Sequence, residues 1–260
     1  MRVIDFHTHV YPEKIAAKAT KAIADFYNLE GGIPGTAEML LNEGRKVGVE
    51  KYVILPVAIN PLNVRHLNEA TLGETKLHKE FIGFGTIHAA MDNIMGEVEY
   101  IENMGLRGIK MHPDFQLFAI DDNRLFEMYD YLQDKMPVIL HTGDPRYDYS
   151  RPDKLKKVLD NFPRLTVVAA HLGGWGVFSE ALEILRKTEC YVDISSSRMF
   201  MAEGEIYKYI NGYGADRILF GSDFPLWSPK DEFDALQKLN ITDEEKEKIA
   251  YKNAERLLNL

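Results

Sequence analysis

Short apolar runs rich in β-branched and aromatic residues alternate along the chain with longer stretches in which apolar positions return every third or fourth residue. Lys51–Val57, Phe81–Ile87, Leu106–His112, Pro137–His141, Leu165–His171, Cys190–Ser195 and Arg217–Asp223 are runs of the first kind. Runs of that length and composition mark strands buried on both faces of a parallel sheet. The chain begins differently, with strict alternation: Asp5, His7 and His9 share one strand face, and Ile4, Phe6 and Val10 the other. Between the strands the helical period dominates. Pro12 and Glu13 open a helix through about Ala24, Thr36 to Val47 forms a second and Asn60 to Lys79 a third. Stripes follow at Ile94/Val98/Ile101/Met104, Leu125/Met128/Tyr129/Leu132 and Leu155/Val158/Leu159/Phe162, then a helix over 179–188 and another bearing Ile206, Tyr209, Ile210 and Tyr213. Ser228-Pro229 starts the next helix, and Thr242 with Glu245 makes a capping box for the last.

Eight strand-then-helix units imply an α/β fold with a parallel sheet covered by helices, and eight closes into a (β/α)8 TIM barrel. No repeat, low-complexity tract or linker divides residues 1–260, so a single domain is expected, with a doubly wound open sheet as the alternative.

Composition narrows the partners. The net charge of −9 argues against nucleic acid and anionic membranes, which require a basic surface. Cys190 is the only cysteine, which excludes an internal disulfide and fits a reducing compartment. Met1-Arg2 leads straight into the first strand without an apolar leader, and no stretch approaches the roughly 18 apolar residues of a membrane span. These features predict a cytoplasmic protein acting on a small molecule, with a homodimer as the self-association considered.

In a TIM barrel the active site is built at the C-terminal ends of the strands. Those ends carry His7 and His9, His112, His141, His171 and Asp223, five of the chain's eight histidines among them. A His-x-His pair arises by chance often enough to mean little alone. Histidines gathered at the one place where they can converge point instead to a metal. Lys110 shares a strand face with His112 and reads as a salt-bridge partner inside the barrel. Asp5 is expected to be its buried partner. His112, one step nearer the mouth, is placed to touch substrate or a second metal. The loops offer Phe115, Phe118, Arg146, Tyr147, Trp175, Arg198, Met199 and Trp227, a mix suited to a small, partly apolar acid. Arg198 is the candidate for gripping a carboxylate through both guanidinium nitrogens, and Trp175 a candidate substrate wall.

Ile4-Asp-Phe-His-Thr-His9, Pro137-Val-Ile-Leu-His141, Ala170-His-Leu-Gly-Gly174 and Phe220-Gly-Ser-Asp-Phe-Pro225 together resemble the strand signatures of the metal-dependent amidohydrolase superfamily. The similarity is greatest to the amidohydrolase-2 branch, which includes aminocarboxymuconate-semialdehyde decarboxylase and related hydrolases, and Asn253–Leu258 resembles its closing helix. The resemblance implies that His7, His9, His141 and Asp223 ligate one divalent metal, usually zinc, while His171 acts on the substrate or bound water. It also implies the other reading of Lys110, as a bridge between two metals. Three neutral imidazoles and a carboxylate form a donor set suited to Zn²⁺, with Mn²⁺ as the second choice. Asp223 is then a candidate to move the proton, and His171 to hydrogen-bond a developing oxyanion. The expected activity is hydrolysis of a small amide, lactone or ester; the alternative is non-oxidative decarboxylation of a small unsaturated or aromatic acid. The short chain favours hydrolysis, because the decarboxylases of the branch tend to be longer. A non-catalytic metal-binding protein is the third class, and the complete ligand set argues against it.

Overall fold

The apolar runs become parallel strands. The computed structural model describes all 260 residues. Its strands are β1 (Val3–Thr8), β2 (Val49–Ile54), β3 (Phe81–Gly83), β4 (Gly85–Thr86), β5 (Ile109–Met111), β6 (Val138–Leu140), β7 (Val167–Ala169), β8 (Tyr191–Asp193) and β9 (Ile218–Leu219). The helices are α1 (Glu13–Tyr27), α2 (Ala37–Arg45), α3 (Val64–Leu77), α4 (Ile94–Asn103), α5 (Pro113–Gln116), α6 (Phe126–Leu132), α7 (Pro152–Asn161), α8 (Phe178–Leu185), α9 (Ile206–Tyr213), α10 (Pro229–Lys238), α11 (Asp243–Glu247) and α12 (Asn253–Leu258).

Neighbouring strands pair in sequence order, β1 to β3 and β4 to β9. β3 and β4 are one stave interrupted at Phe84, whose N–H donates to Ile54 O at 3.1 Å while Gly85 N–H donates to Gly108 O at 2.8 Å. The ring closes where Phe6 N–H donates to Phe220 O and Asp223 N–H to His7 O, both at 2.8 Å. The result is a (β/α)8 barrel, the fold expected. No helix is long and apolar enough to cross a membrane.

Alternation sorts the strand residues into two layers. Ile109, Met111, Val138, Leu140, Val167 and Ala169 join the helix faces in the outer core of 49 buried residues. Ile4, Phe6, Phe84, Ile139, Val168 and Leu219 form an inner cluster that Ala254 and Leu258 of α12 also join. Only the barrel lumen is common to so many strands, so this cluster is the floor beneath the site. Close packing there explains Gly108, where a Cβ would lie 2.1 Å from the Phe84 ring.

Two expectations fail here. Phe6 is not opposite the histidine face; it shares the lumen with His7, because the β1–β2 register shifts between Asp5 and Thr8 and the irregularity re-aims consecutive side chains. Asp5 is also not the partner of Lys110: its Oδ1 accepts from Ser222 N–H at 2.9 Å and His7 N–H at 3.3 Å, and it makes no ion pair. Burial pushes the Asp5 carboxyl up to about 7. Helix α1 continues past Ala24 to Tyr27 and stops at Asn28 in the left-handed region (φ 53°), where asparagine is among the better-tolerated residues. Those three extra residues bring Phe26 and Tyr27 to the site.

Candidate metal centre

The strand-end side chains meet at the mouth of the lumen. His7 is anchored through Nδ1, which donates to Asp193 Oδ2 at 2.9 Å, leaving the Nε2 lone pair directed inward. Lys110 Nζ lies 3.2 Å from that Nε2. His9 is held the same way, its Nδ1 donating to Leu55 O at 2.6 Å. The free Nε2 atoms of His7 and His9 lie 3.6 and 3.4 Å from Asp223 Oδ1. These three residues form a cluster whose donor atoms all lie within 4.8 Å of one another.

Asp223 is fixed from behind. Its Oδ2 accepts from Ser196 Oγ, whose oxygen in turn accepts from Trp227 Nε1–H at 2.8 Å. Burial alone would raise its carboxyl, but the surrounding His7, His9 and His171 rings hold it well below the usual carboxylate range. Asp193 is fully buried and behaves alike: burial opposes ionisation, His7 and its hydrogen bond outweigh that, and the carboxyl falls to about 2. Burial also keeps the imidazoles neutral, taking His7 down to about 4 and His112 and His141 well below their ordinary value.

His171 and His141 form a second layer. His171 Nδ1 faces Ser195 O at 3.0 Å, a carbonyl that can only accept, so Nδ1 carries the proton and Nε2 accepts from His141 Nδ1 at 3.1 Å. His141 Nε2 is then unprotonated, buried and without a partner, 3.7 Å from Asp114 Oδ2. Of the expected metal set, His7, His9 and Asp223 come together directly. His141 lies instead in a cluster with His112 and Asp114 and reaches the other three through His171. His112 stacks on His141 at 3.9 Å and 10° and contacts Tyr27 Oη through Nε2 at 2.8 Å.

Several chain segments hold this arrangement under strain. His171, Leu172, Ser196 and Asp223 have φ values of 58°, 50°, 45° and 61°, a region that non-glycine residues occupy at a cost of order 1 kcal/mol or more. His171 N–H donates to Asp193 Oδ1 at 3.1 Å, which helps hold the turn. At Gly221 a Cβ would lie 2.8 Å from His7 Cβ; only glycine lets β9 approach β1 so closely.

A cavity of about 490 Å³ opens above these groups. His7, His9, Lys110, His112, His141, His171 and Asp223 form its floor, and Trp175 stands in its wall. Arg198 does not line it. Its guanidinium is paired with buried Glu232 at 2.7 Å, so the expectation that it grips a substrate carboxylate is corrected. Lys110 is buried, with its ammonium lowered to about 8 by that burial, and has no carboxylate within ion-pair distance among the chain's salt bridges. The expected intrabarrel salt bridge is therefore absent.

Sequence reading missed Asp193, Ser195, Ser196, Asp114 and Tyr27. Asp193 and Ser195 had a signal, an aspartate and a serine two apart in an otherwise apolar strand. Tyr27 had none, because its place depends on where α1 ends.

The donor set fits a divalent metal. Two imidazoles anchored at Nδ1 with Nε2 turned inward, a carboxylate beside them and an orphaned His141 Nε2 are what such an ion requires. An uncharacterised TIM-barrel protein of Bordetella bronchiseptica is similar to this chain, with 25% identity and a TM-score of 0.82 over 100% of this chain and 99% of the other. A putative amidohydrolase from Staphylococcus aureus shares 18% identity and a TM-score of 0.76 over 100% of both chains. A dihydroxybenzoic acid decarboxylase of Polaromonas, solved with manganese and the inhibitor 2-nitroresorcinol, shares 15% identity and a TM-score of 0.76 over 99% of this chain and 97% of the other. No curated protein sequence matches the chain. The Amidohydrolase family model matches residues 4–260, and the chain belongs to the amidohydrolase-2 family of metal-dependent enzymes.

Proposed function

We propose that this enzyme is a metal-dependent, non-oxidative decarboxylase of a small aromatic or unsaturated carboxylic acid. One observation carries the reading: the cavity joins Lys110 and the strand-end histidines to a set of aromatic side chains, Phe26, Tyr27, Phe115, Tyr147 and Trp175. An acid entering such a cavity points its carboxylate at the floor and lays its flat carbon skeleton against the rings. His7, His9 and Asp223 are the residues we assign to one divalent ion, Zn²⁺ or Mn²⁺, with His141 completing the set. When bound, the ion supplies a positive anchor for the carboxylate and for an adjacent hydroxyl.

The chain's own residues supply the proton movement. Asp223 is held ionised, so its carboxylate can take the proton of a substrate hydroxyl as the acid binds. The bond to the carboxylate then breaks with its electron pair left on carbon, CO₂ departs, and Asp223 returns the proton to that carbon. Atoms and charge balance without an oxidant. Neutral His171, fixed at Nδ1, orients His141 through Nε2.

Against the chain length, which favoured hydrolysis, stands the likeness to the Polaromonas decarboxylase over 99% of this chain and 97% of the other. Hydrolysis of a lactone, amide or ester is the second reading, favoured by the ionised state of Asp223, which a base acting on water also needs. Metal-replete protein assayed on hydroxybenzoates and unsaturated acids with CO₂ detection, in parallel with lactones and amides, tests both. CO₂ release with deuterium from D₂O incorporated at the vacated carbon is expected. Hydrolysis of the second panel with no CO₂ from the first would reverse the assignment.

A further inference from the structure

Helix α1 is not one of the barrel helices, a place taken by α2 against β2; it is an extra helix in the loop after β1 and borders the cavity. Its buried residues are the small Ala16, Thr20 and Ala24, and Thr20 ties that side to the following loop by donating to Ile33 O and accepting from Gly35 N–H, both at 3.2 Å. An amphipathic helix ordinarily buries its large apolar side chains. Here Ile23 and Phe26, with Ala19 and Ala22 between them, line the cavity instead. Opposite them stand Ile59 and Leu117, 65% and 67% exposed. Leu117 caps α5 in the left-handed region at φ 57°, where glycine or asparagine is favoured. A strained, exposed leucine at a cavity mouth is explained by a ligand that covers it.

The same wall offers no unpaired positive charge: the one guanidinium against it, Arg146 at 4.5 Å from the Phe26 ring, is neutralised by Asp144. No arginine lines the cavity, and its one lysine, Lys110, lies on the floor against His7. Arg146, in the loop after β6, is taken up by a forked pair with Asp144 at 2.9 and 2.7 Å and by the Phe26 carbonyl.

We propose that the substrate acid carries an uncharged apolar extension, an alkyl, alkenyl or second aryl group, that lies along α1 between Ile23, Phe26 and Leu117, and that acids with a second carboxylate on that side are excluded. The decarboxylase reading enters only at the carboxylate end; the apolar arm stands on α1. A cavity of about 490 Å³ holds more than one ring, and a second carboxylate in the arm would be desolvated without a partner.

Binding of unreactive 4-alkylbenzoates, methyl to hexyl, and of terephthalate to the metal-loaded full chain, read by calorimetry, tests this. Affinity rises roughly fourfold per methylene until the arm is filled, the equivalent of burying one CH₂. Terephthalate binds on the order of 100-fold more weakly than 4-butylbenzoate. Ala22→Phe, which narrows the arm and touches no metal donor, removes the chain-length dependence. Ile23→Ala provides a second variant that enlarges the arm, weakening the longer ligands several-fold. Affinity independent of chain length, or terephthalate bound as tightly as 4-butylbenzoate, overturns the proposal. The parallel CO₂ assay with 4-alkyl-2-hydroxybenzoates separates the two readings: chain-length-dependent binding without CO₂ overturns decarboxylation alone, and CO₂ release without chain-length dependence overturns the arm alone.

Discussion

Replacing Asp193 by asparagine tests the metal centre without touching a proposed ligand. Asp193 Oδ1 accepts from the N–H groups of His171 and Ser195, both at 3.1 Å, and Oδ2 accepts from His7 Nδ1 at 2.9 Å. Asparagine can keep the first oxygen and its two backbone donors, so the loop after β8 remains tied. At the second position it offers an N–H₂, which donates to His7 Nδ1 and moves the imidazole proton to Nε2, the nitrogen directed at the metal. Two losses then coincide: a charge-assisted hydrogen bond worth about 1.5–3 kcal/mol and a ligand held in the wrong tautomer. Removing a carboxylate behind a metal-binding histidine costs 10–100-fold in metal affinity or activity, about 1.4–2.8 kcal/mol, so the two routes agree. Competition of the apo protein with a chelator of known affinity measures the metal Kd, and circular dichroism checks the fold. A Kd within twofold of the parent would refute the role given to Asp193 and, with it, the inward direction of His7 Nε2.

Four further outcomes are expected. Elemental analysis of metal-replete protein finds about one divalent ion per chain; two would bring His112 and Asp114, which cluster with His141, into the ligand set. His141→Ala loses metal and activity together, whereas His171→Ala retains metal and loses most turnover; an empty site in the latter would make His171 a ligand. Asp223→Asn retains much of its metal while turnover falls by a factor on the order of 10² or more, and a metal-loaded variant with near-parental turnover would exclude Asp223 as proton carrier. Arg198→Ala leaves KM for the acid unchanged and lowers stability by about 1–2 kcal/mol, the buried-pair penalty discounted for the exposed guanidinium. Burial raises the Glu232 carboxyl and Arg198 opposes that rise; without Arg198 the folded-state value climbs further above the unfolded one. The melting temperature of Arg198→Ala therefore falls relative to the parent as pH rises above the ordinary carboxylate range, and the two converge in acid, where Glu232 is protonated in both states. A difference that does not change with pH would contradict this.

The barrel was legible because its causes are local. Buried parallel strands read as continuous apolar runs, helices as 3.6-residue stripes, and the number of units fixed closure. The convergence of His7, His9 and Asp223 followed from the barrel rule about strand ends. Arg198 was misread because a loop arginine after β8 looks the same in sequence whether it faces substrate or Glu232, and its partner lies 34 residues away. The pairing of Lys110 with Asp5 failed for a related reason: alternation assumed a regular β1, and the register shift at Asp5 turned its carboxylate to the backbone of Ser222. His141 was read into the metal set from its strand position; the stacking on His112 and the bond to His171 that hold its ring are contacts that strand position alone does not specify.

The failures share a location. The β1 irregularity, the left-handed backbone at His171, Ser196 and Asp223, and the extra helix α1 all border the cavity, while the outer core follows the periodic rules closely. A chain optimised for stability alone would place glycine or asparagine at the left-handed positions and larger apolar residues on the packed face of α1. Each departure instead fixes a group the site uses. The bulge lets Phe6 seal the floor while His7 faces the cavity, the turn at Asp223 seats its carboxylate beside His7 and His9, and α1 supplies an apolar wall ending in Tyr27. Local rules therefore break where side chains must serve the cavity rather than the core, the pattern expected when function opposes ideal folding at a few positions.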